Sequence, residues 1–137
     1  MINRKIVLLL IFLMVTSTMI LSSPGSKIRL VVLTDIENEP DDAQSMVRLL
    51  SYSNHFDIEA LIATTSIWKQ DKVADWRIHE IVNAYKKVEA NLRVHEEGYP
   101  KAEILKNRIK KGIPEFGMNG VGKGKNSEGS EFLVEII

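Results

Sequence analysis

The stretch Leu33-Thr34-Asp35-Ile36-Glu37-Asn38-Glu39-Pro40-Asp41-Asp42 joins an apolar run, Ile28 to Leu33, to an amphipathic run, Ala43 to Tyr52. The apolar run reads as a strand covered on both faces, as in a parallel sheet. The amphipathic run reads as a helix, with Ala43, Met46, Val47 and Leu50 at i, i+3, i+4 and i+7. Pro40 stands at the first helical position, and Asp41 and Asp42 fall in the first turn, where the helix dipole favours negative charge. Five of the ten residues are acidic and none is basic. Two carboxylates 4 Å apart repel by roughly 4 kcal/mol at an effective dielectric near 20. Such a cluster persists either in water, with the helix N-terminus as its partner, or around a cation. The residues alone leave both readings open.

Downstream, Ile58 to Thr65 reads as a second strand, so that strand, helix and strand form a βαβ unit with a right-handed crossover. Trp76, Ile78, Ile81, Val82 and Tyr85 mark a second amphipathic helix. Asn91 to Val94 reads as a short third strand, and Pro100 opens a charged helical segment with Ile104, Leu105 and Ile109 turned inward. Gly112 to Gly129 is a long glycine-rich loop. Asn126 or Ser127 caps a last element bearing Phe132, Leu133, Ile136 and Ile137. The expected class is α/β, a parallel sheet with helices on both faces.

The chain has 137 residues and balanced charge, 18 basic against 18 acidic, which gives no basic field for nucleic acid. It has no Cys, which excludes disulfides and thiolate metal sites and leaves oxygen ligands or His55, His79 and His95. Asn3-Arg4-Lys5 followed by apolar Ile6 to Leu21 and Ser22-Ser23-Pro24-Gly25 has the layout of a secretory signal peptide over residues 1–23. A membrane anchor is the alternative, disfavoured by Thr16-Ser17-Thr18, which leaves the run short of about 20 residues. The mature protein is thus expected to be secreted or periplasmic, without stable membrane association. The apolar end of the chain and the small number of strands suggest that residues 27–137 are the amino-terminal part of a longer domain.

Ligands of open α/β sheets bind at the carboxyl ends of the strands, where the acidic loop and Thr64-Thr65-Ser66-Ile67-Trp68 both lie. An EF-hand is rejected, because Pro40 occupies the position that needs Gly. An aspartyl-nucleophile phosphatase is disfavoured, because Glu37 stands where a second Asp is required. Thr34-Asp35, a short loop, then Asp41-Asp42-Ala43 resembles the calcium-dependent nucleoside hydrolases of the inosine/uridine-preferring superfamily. Their signature is Asp-Thr-Asp, Pro-Gly-x and Asp-Asp. Here Leu33 replaces the first Asp, and the intervening loop, Ile36 to Pro40, is longer than the family's. The longer loop, Ile62 to Ser66 and Gly122 to Glu131 are similar to a secreted, cellulose-binding branch of nucleoside hydrolase-like proteins.

The resemblance implies a Rossmann-type fold and hydrolysis of an N-glycosidic bond. It assigns Asp35 to Ca²⁺ and to proton abstraction from the attacking water, Asp42 to Ca²⁺, and Asp41 to the water and a sugar hydroxyl. The family's Gly-Asn after the second strand is replaced by Ile67-Trp68. Trp68 has two readings, stacking on a sugar or packing in a core, with the core favoured. Asn126 is a candidate ligand contact, with loop and cap roles favoured. The three His match no family position, and the remaining calcium ligands and the acid-side His lie in later segments of the family. The fragment is expected to be inactive alone, and a non-catalytic protein that binds a sugar or polysaccharide is the alternative to the enzyme.

Overall fold

A computed structural model describes residues 26–137, so the expected signal peptide lies outside the described residues. Three parallel strands form one sheet in the order β1-β2-β3. Strand β1 (Ile28–Thr34) leads through the acidic loop into helix α1 (Pro40–Ser51), and a single 3-10 turn, Ser53–His55, returns the chain to β2 (Phe56–Ala63). Helices α2 (Asp75–Lys86), α3 (Glu89–His95) and α4 (Ala102–Asn107) precede β3 (Ile109–Lys111). A 3-10 turn at Gly117–Gly120 punctuates the long loop before α5 (Glu128–Ile136).

Both crossovers step in the same direction, so right-handedness puts α1 and α2 on one face of the sheet. There Met46 and Leu50 of α1, Ile78 and Val82 of α2, and Leu105 of α4 close over Ile58, Leu61 and Ala63 of β2. In a regular strand Ile58 would point away from Leu61, because side chains alternate. The register explains the exception. Leu30 pairs with Ile58 but Val31 with Ala60, so Glu59 is an extra residue, a bulge that resets the alternation. Ala60 and Ile62 therefore face the other side, which α5 covers. Gly129 of α5 lies against Ile62 and the Lys111 carbonyl, and Arg29 of β1 donates to the Ile136 carbonyl at the far end of the helix. The expected helices on both faces are thus present.

Two expectations fail. Asn91 to Val94 is not a strand but the middle of α3, with Leu92 N–H donating to Val88 O at 3.0 Å and Glu89 paired with Arg93 at 3.6 Å. Leu92 packs on the core while Val94 is 84% exposed, so the apolar pair does not share a buried face. The third strand is Ile109-Lys110-Lys111, which reads as a charged helix end and has only Ile109 in the core. Ile109 and Leu105 do face inward, whereas Ile104 is exposed. Ser127 is the expected cap of α5, its Oγ accepting from Ser130 N–H at 3.1 Å.

A Cβ at Gly129 would sit 2.7 Å from Ile62 Cγ2 and 3.1 Å from Lys111 O. Gly129→Ala should therefore destabilise the fold by about 1–3 kcal/mol through overpacking. Urea unfolding should show this as a lower midpoint with an unchanged slope.

Candidate functional site at the strand ends

Parallel pairing brings the loops after β1 and β2 together, and Thr64 N–H donates to Thr34 O at 2.8 Å where the two strands end. The acidic loop begins one residue later. Ile36 turns down into the core and is only 1% exposed, which anchors the loop from below. Asn38 N–H closes a turn onto Asp35 O at 3.1 Å. Glu37 between them has φ of 72°, in the left-handed region that costs a non-glycine residue roughly 1–2 kcal/mol. Contacts on both sides hold it there: Lys69 Nζ donates to Ile36 O at 2.8 Å, and the Arg77 guanidinium pairs with the Glu37 carboxylate.

The loop after β2 is built to meet the acidic loop. Ser66 Oγ donates to Asn38 Oδ1 at 3.0 Å and accepts from the N–H groups of Trp68 and Lys69, each at 3.2 Å. One hydroxyl thus closes its own turn and ties the two loops together. Phe116 N–H donates to Gln70 O at 3.0 Å, which brings the loop after β3 to the same rim.

The five carboxylates meet different fates. Glu37 is neutralised by Arg77. Asp42 Oδ2 accepts from Glu39 N–H at 2.9 Å, as a helix cap does. Glu39, at the N-cap position, and Asp41, in the first turn of α1, are both exposed. Asp35 is half-buried, and its carboxylate makes no hydrogen bond or ion pair among the described residues. Among the described residues, no three acidic, His or Cys side chains are gathered as a metal would need them. For Ca²⁺ the donor type is right, since Asp35 is unpartnered and Asp42 keeps one free oxygen. Two carboxylates supply only part of the six to eight or so oxygens the ion takes. The remainder of a shell would come from water, a ligand's hydroxyls or other residues.

Trp68 overturns the expectation of core packing. It is 77% exposed at the tip of the β2 loop, because the Ser66 turn points the chain outward before Lys69 returns. Asn126 is also exposed, in the loop after β3. Lys69 and Arg77 were not anticipated as partners of the acidic loop. The signal that points to them is the loop's own charge: with no base inside it, compensation must come from the neighbouring strand's loop and the helix after it.

The Arg77 hydrogen bond holds the Glu37 carboxyl below the usual glutamate range, against desolvation and aided by the charges of Arg77 and Lys69. A depressed carboxyl stabilises the fold above its unfolded pKa, and that contribution is lost as pH falls through the lower, folded value. Arg77→Gln should return Glu37 to the ordinary range, which removes the pair's stabilisation near neutral pH and, with it, the acid-induced loss. A carboxyl-carbon NMR titration of Glu37 would show the upward move.

Residues 29–137 match the family model described as cellulose-binding Sde182, nucleoside hydrolase-like domain. A solved structure of a nucleoside hydrolase-related hypothetical protein from Saccharophagus degradans, associated with carbohydrate metabolism, is 36% identical with a TM-score of 0.75. The match covers 81% of this chain and 27% of that one, so this chain spans about a quarter of that protein's length. No curated protein matches the sequence.

Proposed function

The chain belongs to the cellulose-binding Sde182, nucleoside hydrolase-like domain family, and from that membership we propose that it recognises a glycoside at the carboxyl ends of β1 and β2. The observation that carries this reading is the half-buried, unpartnered Asp35 carboxylate, joined through the Asn38–Ser66 hydrogen bond to the loop presenting Trp68. A sugar ring offers hydroxyl donors on its rim and an apolar C–H face. Carboxylates accept from the first, and an open indole stacks on the second. Asp41, exposed beside this rim, is a further acceptor for ring hydroxyls, and Asn126 supplies an amide from the loop after β3. The ligand class is a sugar or polysaccharide. The signal-like layout of residues 1–23 supports a role outside the cytoplasm. Among the described residues no helix is long and apolar enough to cross a membrane.

The second reading is hydrolysis of an N-glycosidic bond, and the same free carboxylate favours it. Asp35 has no competing donor and would accept a proton from water approaching one face of the sugar. Asp35 and Asp42 would hold Ca²⁺, which when bound lowers the pKa of a coordinated water. Asp42 also keeps the first turn of α1 in place through Glu39 N–H, so its position does not depend on an ion.

Titration with cellotetraose should perturb the amide resonances of Asp35 to Asp42 and of Ser66 to Lys69. Trp68→Ala should weaken that binding by about tenfold, since aromatic contacts of this size contribute on the order of 1 kcal/mol or more. Absence of any perturbation at the two loops would overturn glycoside recognition there. Catalysis separates from binding by ribose release from inosine in the presence of Ca²⁺: the enzyme reading expects release that Asp35→Asn abolishes, while binding alone leaves nucleosides intact.

A further inference from the structure

Beside Glu37 lies a cavity of about 310 Å³, lined by Glu37, Lys69, Lys72, Val73, Ala74 and Trp76. That volume is at the lower end of small-ligand sites, about 300–1,000 Å³. Its charge is opposite to that of the neighbouring loop. Glu37 is spent on Arg77, and neither Lys69 nor Lys72 forms an ion pair among the described residues. Lys69 gives one of its three ammonium protons to Ile36 O and is half-buried, which fixes it at the wall. Lys72 is exposed and unconstrained. The indole of Trp76 is about half exposed and is braced by the Arg77 guanidinium, 4.7 Å from the ring centroid. Val73 and Ala74 make the remaining wall apolar.

An aromatic plate, an apolar wall and two ammonium groups outside any direct ion pair among the described residues match one kind of ligand: a ring with an apolar face and a negative substituent. We propose that this cavity is a subsite for an anionic sugar unit, its ring against Trp76 and its carboxylate or phosphate on Lys69 and Lys72. The choice of a sugar rests on the glycoside reading given above; the choice of an anionic one rests on the cavity itself. The anion is either the carboxylate of a uronic acid or a phosphate ester, and Arg77 links the two sites, because it both neutralises Glu37 and positions Trp76.

The chain has two tryptophans, so Trp68→Phe leaves Trp76 as the single indole reporter. The full chain carrying that change is titrated with galacturonate, glucose 6-phosphate, glucose and inorganic phosphate while Trp76 emission is followed. At least one anionic sugar should bind about tenfold more tightly than either glucose or inorganic phosphate, from charge-assisted hydrogen bonds added to stacking. Lys72→Gln should abolish that advantage with the melting temperature unchanged, and Lys72→Arg should retain most of it. A response to galacturonate alone identifies the uronate source, and one to glucose 6-phosphate alone the ester. Equal binding of glucose, indifference to Lys72→Gln, or a silent Trp76 overturns the subsite. If cellotetraose still perturbs Asp35 to Asp42 in that event, only the subsite has failed; anionic sugars binding without any cellotetraose effect leaves the subsite standing and removes cellulose recognition.

Discussion

The hydrogen bond from Thr64 N–H to Thr34 O is the point on which the site depends. It is where two parallel strands end side by side, and parallel pairing alone makes both following loops leave in the same direction. An antiparallel arrangement would send them to opposite ends of the sheet. Once the strand ends are level, Ser66 is within reach of Asn38, Lys69 of the Ile36 carbonyl, and Trp68 stands out over the rim. The acidic loop is thereby held by its neighbour and by Ile36 beneath it, and does not rely on its own charges. This is how five carboxylates coexist in ten residues: one is paired, one caps a helix, and the others face outward or stand half-buried beside the strand end.

Much of this was legible in the sequence. The continuous apolar run ending at Leu33, Pro40 at the start of a helix and the Ala43–Leu50 stripe located β1, α1 and the loop between them. They did not fix coverage: β1 is an edge strand with no buried residue and Leu33 exposed, not covered on both faces as expected, and Val47 of the stripe is exposed. The same logic gave β2 and α2. It failed at Asn91 to Val94 and at Ile109 to Lys111, where three or four residues are too few to fix a period. There the deciding facts are tertiary: Leu92 and Leu105 reach one core, and Ile109 completes the sheet beside Leu61.

For the site, chain order gave the position of Asp35, Asp41 and Asp42 but not which of them would be free. That depends on Asp42 folding back onto Glu39 N–H, and on Arg77 crossing from α2 to Glu37. The exposure of Trp68 was likewise hidden, since a tryptophan near an apolar strand is more often buried than displayed. The left-handed Glu37 had no sequence signal at all, because positions of this kind normally carry glycine or asparagine. A costly backbone conformation kept beside a charged cavity is the sort of strain that tends to mark function.

The latch between Arg29 and the Ile136 carbonyl joins residues 107 positions apart in sequence. Closing so long a loop has an entropic cost that only a finished sheet offsets, whereas β1, α1 and β2 are neighbours along the chain. Helix α5 is thus held to β1 across a far longer stretch of chain than any contact within the β1, α1 and β2 unit. Ala60 and Ile62 are dry only while it is down, and their face of the sheet is the surface through which a partly opened chain would stick to others.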